Sequence, residues 1–309
     1  MNEVHIVTGA GPVGWTVAEQ LAGQGESVRI LTRSGSGPEH HLIERVKVDV
    51  LDARQLGDAF AGATAVFHCI HGSSYTAAAW QAELPRAEQN VLAAAGKAGA
   101  VVVFPESLYS YSEPQQPMTE AGPRTARGGK RGVRTELLPA REASATNTVS
   151  LVSGDFFGPR VRTSHAGERL VPAVLAGKKV WVAGSADQPH SFTYVPDLVT
   201  AMIHAARTPP LWNRVWHTPT GPAVTQRQLA SAFTHAGAVS APRLGAIPGW
   251  ALRAAALFPG EAQEIAELLY QFDRPFVMDS AASQEALGLH PTPLPEAAAA
   301  TVAWWRAQG

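Results

Sequence analysis

A glycine-rich turn near the start constrains this chain more than any other feature. Thr8-Gly9-Ala10-Gly11-Pro12-Val13-Gly14 stands between an apolar run, Val4–Thr8, and a segment with Val13, Val17 and Leu21 at helical spacing. A strand that turns into a helix in so few residues needs glycine at the corner. The helix it opens presents unpaired N–H groups and the positive end of its dipole. Together these make a seat for a pyrophosphate, so Gly9, Gly11, Pro12, Val13 and Gly14 are candidate dinucleotide-binding residues. A glycine triplet alone is weak evidence, but this one begins a run of β-α units. The alternative is a tight turn that binds nothing.

Further strand signals fall at Ser27–Leu31, Val46–Val50, Thr64–Cys69, Ala100–Phe104 and Val149–Ser153. Helix signals fall at Pro12–Ala22, Trp80–Ala98, Val133–Thr146, Pro196–Ala206 and Thr225–Ala236, and Asp52 is placed to cap a short helix. Strands this short alternating with helices predict an α/β fold: a Rossmann, doubly wound parallel sheet covered on both faces. Pro105–Gly132, with four prolines and four glycines, reads as a long loop, and the tail from Pro242 as a smaller, partly helical region.

The 309 residues suffice for a full core, and 45% apolar with 17% charged residues is an ordinary globular balance. A net charge of −1 argues against nucleic acid or an anionic membrane as partner, leaving a small-molecule substrate. The single cysteine, Cys69, excludes a disulfide framework and fits a cytoplasmic protein. No signal peptide is read at the start. Ala61–Ala82 lacks charge but is broken by His68, His71, Gly72 and Gln81, so no membrane span is expected. The eleven histidines are scattered, and no metal site is expected.

Cofactor choice turns on the end of the second strand. A carboxylate there would bond the ribose of NAD, but the sequence reads Thr32-Arg33-Ser34, with no Asp or Glu between Ser27 and Pro38. Arg33 can pair with a 2′-phosphate, which favours NADP, with NAD as the alternative. Asp49 and Val50 stand where they can reach the adenine edge, although Asp49 could equally serve a turn before Asp52. His71 follows the fourth strand and reads as an acid/base group or as a polar neighbour of the ribose.

Several segments, in order, carry a family resemblance. Thr8–Gly14 resembles T-G-A-x-G-x-x-G with one residue deleted. Val66-Phe67-His68, Val152–Pro159, Ser191–Leu198 and Leu287–Pro291 resemble V-F-H, R-x-x-x-x-Y-G-P, D-F-I-H-V-D-D-L and L-G-W-x-P. The chain thus resembles the extended short-chain dehydrogenase/reductases, the NAD-dependent epimerase/dehydratase group. The resemblance implies an NAD(P)-binding Rossmann domain of residues 1–159 and 190–221, interleaved with a substrate-binding domain of residues 160–189 and 222–309.

The resemblance also implies a Tyr and Lys in Y-x-x-x-K and a Ser or Thr after the fifth strand. The lysine lowers the tyrosine pKa so that the phenol exchanges a proton with the substrate hydroxyl while hydride moves. This chain has no Y-x-x-x-K: the motif's Tyr and Lys align with Gly128 and Gly132, and Lys130 lies out of register. Ser107 does stand at the Ser/Thr position. Tyr109, Tyr111 and Lys130 are the candidates for the missing acid, with packing as the competing role of the two tyrosines. Lys130 is also a candidate cofactor contact, as is Ser107. Glu106 would be a general base if burial raised its pKa. His190 and Tyr194 are read as packing. Arg124, Arg127, Lys130, Arg131 and Arg134 form a basic run that reads as a solvated face or, beside a cofactor, as an anion clamp.

Three functions stay open: an NAD(P)-dependent oxidoreductase or epimerase acting on a small hydroxyl or carbonyl substrate through a non-standard proton relay; a non-redox isomerase, dehydratase or cyclase that retains the cofactor; and a non-catalytic NADP-sensing binding protein. Many relatives dimerise through two helices, here Trp80–Ala98 and Val133–Thr146, so a homodimer is also open.

Overall fold

A computed structural model describes residues 3–257 and 266–308. Seven strands form the main sheet: β1 (Val4–Thr8), β2 (Val28–Thr32), β3 (Ile43–Lys47), β4 (Ala63–His68), β5 (Val101–Ser107), β6 (Thr148–Ser153) and, late in the chain, β10 (Arg214–His217). Their order is β10-β6-β5-β4-β1-β2-β3, with β3–β2, β2–β1, β1–β4 and β4–β5 running parallel. This is the doubly wound α/β sheet the alternating pattern predicts. The order reverses at β1, so the carboxyl ends of β1 and β4 open the crevice in which such sheets bind ligands.

Periodicity places each element. Ile6, Val7, Ile30, Leu31, Val66, Phe67, Val102 and Val103 are sealed from solvent, as strands covered on both faces require. Helices α1 (Pro12–Gly23), α2 (Leu56–Ala59) and α3 (Ala77–Ala98) turn Val17, Leu21, Leu56, Leu84 and Val91 inward. Thr76 caps α3, and Gly99, with φ of 74°, ends it. Asp52 caps a short 3-10 turn, Ala53–Gln55, through the Arg54 amide.

Several boundaries differ from the sequence reading. The third strand is Ile43–Lys47, not Val46–Val50. Val48 and Val50 are buried, but by the loop that follows the strand. β5 runs on to Ser107, past its pairing with β4, which ends at Val103. Helix α4 spans Gly129–Glu142 rather than starting at Val133. Gly128 and Gly129, at φ of 74° and 52°, wind its entry, and the low helix propensity of glycine hides that turn in the sequence.

The chain forms two compact units. The first is Met1–Ser110, Arg124–Val152 and Leu198–Trp216, which holds the sheet and the site described below. The second is Tyr111–Pro123, Ser153–Asp197 and His217–Gly309. Two small parallel pairs lie in it: β7 (Asp155–Phe157) with β9 (Phe192–Tyr194), and β8 (Lys179–Ala183) with β11 (Arg243–Ile247). Its core joins Phe157, Leu170, Val174, Phe233, Val302 and Trp305. Helix Gln226–Ala236 enters this core from a capping box of Thr225 and Gln228. Residues 258–265 and 309, part of the 222–309 stretch read as substrate-binding, lie outside the described residues.

Candidate active site

The glycine loop is built to a tolerance that admits no side chain at its corner. A Cβ on Gly14 would lie 2.0 Å from the Gly9 carbonyl oxygen, and one on Gly9, at φ of 88°, would lie 3.0 Å from the Cys69 carbonyl oxygen. A Cβ on Gly11 would meet nothing within 4 Å, so the loop is open on that side. Gly11 is the N-cap of α1 with no side-chain cap, Pro12 follows it, and the amides of Val13 and Gly14 have no acceptor within the helix. These residues fit an anionic pyrophosphate: an open approach at Gly11 faces free amides at the positive end of a helix.

At the other end of the crevice, Thr32–Ser36 makes a compact turn after β2. Thr32 Oγ1 donates to the Ser36 carbonyl at 3.1 Å, Ser34 Oγ donates to Ser36 Oγ at 2.9 Å, and Gly35 has φ of 72°. Arg33 stands exposed on this turn. The Asp49 carboxylate accepts from the Leu51 amide at 2.9 Å, so it closes its own turn. Val50 is buried and its carbonyl accepts from Asn90 Nδ2 at 2.9 Å.

The carboxyl ends of β4 and β5 carry the charged part of the site. Arg141, from the last turn of α4, grips Glu88 of α3 with Nε–Oε2 and Nη2–Oε1 distances of 2.7 and 2.6 Å. Its Nη1 lies 2.9 Å from Glu106 Oε2 and donates to Ser150 Oγ at 3.0 Å. Arg134 Nη1 lies 3.5 Å from Glu106 Oε1, with its guanidinium over the Trp80 ring. Burial alone would push the Glu106 carboxyl up, but Arg134 and Arg141 outweigh it, and its pKa is lowered. This corrects the expectation of a general base raised by burial: Glu106 is a fixed anion. Its Oε1 accepts from the Ser107 amide at 2.7 Å and from Ser107 Oγ at 3.3 Å, which fixes the serine at the sheet edge.

Two histidines line the same region as neutral groups. Burial, reinforced by Arg141 and Arg134, brings His68 down to about 3, and its Nδ1 is hydrogen-bonded to Thr8 Oγ1 at 2.8 Å. Burial and then Arg134 bring His71 down to about 4. Desolvation pushes the Cys69 thiol up, so it is no nucleophile.

Around His71 the structure gathers an aromatic cluster. Its ring stacks on Tyr75 at 5.5 Å and meets Trp80 edge-on at 4.6 Å. Trp80 in turn stacks with Tyr109 at 6.1 Å, and the Tyr75 and Tyr109 hydroxyls are hydrogen-bonded to each other. Lys130 is fully buried, with Nζ 5.0 Å from the centre of the Tyr75 ring. Arg131 Nε donates to the Tyr109 carbonyl at 3.3 Å. The basic run is thus not one solvated face. Lys130 and Arg134 turn inward, whereas Arg127 is exposed.

Ser107, Tyr109, Lys130 and His71 therefore share one neighbourhood, and Tyr75 joins them from a loop the sequence reading did not single out. Tyr111 is elsewhere: it is buried, with its hydroxyl bonded to the Thr119 carbonyl at 2.9 Å and to His217 Nε2 at 2.6 Å. His190 is buried between Asp155 Oδ2 at 3.1 Å and the Gln271 carbonyl at 3.0 Å, stacked on Phe272. Burial pushes the Tyr194 phenol up to about 12, with help from Asp197 and Glu296. Among the described residues no group of three or more His, Cys, Asp or Glu is arranged to hold a metal, and no helix is long and apolar enough to cross a membrane.

The sequence profile described as "NAD dependent epimerase/dehydratase family" matches residues 5–213. No curated protein sequence matches. Among solved structures, the Bordetella bronchiseptica enzyme WbmH in complex with NAD+ superposes with a TM-score of 0.76 at 20% identity, over 99% of each chain. MoeE5 in complex with UDP-glucuronic acid and NAD gives 0.76 at 22% identity over 100% of each. The UDP-glucose 4-epimerase of Thermotoga maritima with UDP-glucose gives 0.76 at 20% identity over 99% of each. At these identities the likeness is one of fold.

Proposed function

The chain belongs to the NAD dependent epimerase/dehydratase family, and from that premise we propose that it is an NAD(P)-dependent oxidoreductase or epimerase acting on a hydroxyl or carbonyl carbon of a small substrate. The observation that carries this reading is the glycine cradle, where Gly14 admits no side chain and Gly11 faces open space. Gly9, Gly11, Pro12, Val13 and Gly14 hold the pyrophosphate. NADP is the preferred form: Arg33 supplies a guanidinium for the 2′-phosphate, beside the hydroxyls of Ser34 and Ser36. Asp49 and Val50 border the adenine through their backbone. The nicotinamide, when bound, takes up or returns a hydride.

The remaining chemistry falls to the chain. Ser107, held by Glu106, orients the substrate oxygen. Tyr109 and Lys130 stand in for the absent Tyr and Lys pair. Neutral His71 borders the ribose without adding charge. The enzyme is read as cytoplasmic, consistent with its one unreactive thiol. The glycines at 128 and 132 favour a second reading, a binding protein that senses NADP without turnover.

Titration of the protein with NADPH and with NADH tests the cofactor assignment. NADPH is expected to bind more tightly by about tenfold or more, the worth of a charge-assisted hydrogen bond or two. Arg33→Ala should bring the two affinities together. Binding of neither cofactor overturns the proposal. The NADP preference falls if NADH binds equally well. Turnover of UDP-glucose or another carbonyl or alcohol probe, against none, separates the enzyme from the sensor.

A further inference from the structure

We propose that the outer face of β8 and β11, with the helix Gly249–Ala255 that follows them, is a docking surface for an anionic lipid bilayer. The inference concerns the second unit alone. It goes beyond the cofactor reading and does not depend on it.

Exposure singles this surface out. Among the described residues five large apolar side chains are exposed, and four of them lie here: Trp181 at 58%, Ile247 at 37%, Trp250 at 73% and Leu257 at 81%. Single exposed apolar residues are ordinary, but four on two short segments are not. The strands show how this arises. In β8, Val180 and Val182 turn into the core, whereas Lys179 and Trp181 turn out. The parallel register sets Lys179 beside Arg243, Trp181 beside Gly245 and Ala183 beside Ile247 on that outer face. A Cβ on Gly245 would lie 2.6 Å from the Trp181 ring, so the indole lies across the glycine and its other face meets solvent.

The helix repeats the pattern. None of its seven residues is buried. Its inner side is marked by Gly249, where a Cβ would lie 3.2 Å from Leu269 Cδ2, and by Arg253, whose Nη2 lies 2.6 Å from Asp273 Oδ2. Trp250 and Ala254, one turn apart, and Leu257, just past the end, are exposed. A surface helix ordinarily turns its apolar stripe to the core and its charges to water. Here the arginine faces the protein and the tryptophan faces out.

Charge selects the occupant. Between Lys178 and Gly184, and between Ala241 and Leu257, the charged residues are Lys178, Lys179, Arg243 and Arg253, with no Asp or Glu. Arg253 is compensated by Asp273, which Arg274 shares. The other three are exposed, and Lys179 Nζ lies 4.2 Å from the centre of the Trp181 ring. A second copy docked face to face about a two-fold axis would set these cations against themselves. Ile247 and Leu257 offer no ring for a base to stack on, which disfavours a nucleic acid strand. A bilayer with anionic headgroups accepts both parts. The indoles settle at the headgroup level, Ile247 and Leu257 reach the acyl boundary, and the lysines and Arg243 meet phosphates. The net charge of −1 gives the chain no long-range pull towards such a surface, so adhesion depends on this patch.

The test uses the full-length protein and two kinds of vesicle, phosphatidylcholine alone and equal parts phosphatidylcholine and phosphatidylglycerol. Co-sedimentation should show binding to the mixed vesicles that is tighter by about tenfold or more than to the neutral ones, and added salt should weaken it. Trp250→Ser combined with Leu257→Ser should lower that binding by about tenfold or more. Both side chains are exposed, so the melting temperature of this variant should match the parent's. Lys178→Gln combined with Arg243→Gln should remove most of the preference for the mixed vesicles. Mixed vesicles should also shift the parent's tryptophan emission to the blue, and the shift should shrink in Trp250→Phe while binding persists. No binding to the mixed vesicles overturns the proposal, as does undiminished binding in the double serine variant. Sedimentation velocity without lipid tests the other occupant. A parent dimer that the double serine variant turns into a monomer, with no vesicle binding, assigns the face to a second copy and overturns the bilayer.

Discussion

The guanidinium of Arg141 lies against the carboxylate of Glu106, Nη1 to Oε2 at 2.9 Å, with side chains 3% and 0% exposed. The same guanidinium also holds both oxygens of Glu88, so one cation ties α3, α4 and β5 behind the serine of the site. Removing it strands two buried carboxylates. Arg141→Met is expected to destabilise the protein by about 3–5 kcal/mol, the usual consequence of breaking a buried pair on one side. Urea unfolding measures it. Arg141→Lys should rescue little, because a single ammonium cannot reproduce the fork that spans Glu88 and Glu106.

His68 makes the fold sensitive to acid. Its pKa falls from an ordinary 6.5 to about 3 because burial, and then Arg141 and Arg134, oppose its charged form. Between those values the unfolded chain binds a proton that the folded chain refuses. The stability His68 contributes is complete above 6.5 and is lost as pH falls towards 3, by about 1.4 kcal/mol per pH unit. Glu106, also lowered, adds a loss of the same sign at still lower pH, below its ordinary 4.5. Unfolding free energies measured across this range should show the slope, and His68→Asn should lessen it while leaving the part that His71, brought down to about 4, contributes below 6.5.

The two inner glycines of the loop should separate fold from binding. Gly14→Ala forces a Cβ to 2.0 Å from the Gly9 carbonyl, so the loop must open, with lower thermal stability and no cofactor binding. Gly11→Ala meets only open space, so its melting temperature should match the parent's. Its methyl nonetheless occupies the approach to the first-turn amides, and NADPH affinity should fall. Equal NADPH affinity in Gly11→Ala and the parent would show that no phosphate passes there.

Legibility in the sequence follows from how far each feature reaches along the chain. β1, the glycine turn and α1 are local, since apolar period, glycine and Pro12 fall within 20 consecutive residues, and they were plain. Ser107 was legible by position, but its support was not. Pro105 and Glu106 read as the start of a loop, and only the completed strand shows that Arg134 and Arg141 hold Glu106 as an anion. α4 was placed four residues late because its glycines resemble a loop. Its basic run reads either as a solvated face or as an anion clamp, since sign carries no information about which face of a helix is buried. Tyr75 was missed because what distinguishes it lies 34 residues away, in the hydroxyl of Tyr109, and farther still in Lys130. No local pattern encodes such a meeting.

Ser107 provides the remaining prediction. Its amide and hydroxyl both donate to Glu106 Oε1, so the proton of the hydroxyl points back into the protein and its lone pairs are left for a substrate hydroxyl. Ser107→Ala removes that acceptor without touching the glycine cradle, so kcat should fall far more than the affinity for NADPH. Glu106→Gln should act through the serine. A carboxamide oxygen can still accept from the Ser107 amide, but it cannot balance Arg134 and Arg141, and the protein should lose stability together with turnover. In the double variant, Ser107→Ala with Glu106→Gln, the loss of turnover should be no greater than in Ser107→Ala alone, because Glu106 reaches the substrate only through Ser107. Additive losses would place Glu106 in direct contact with the chemistry, against the geometry that seals it behind the strand.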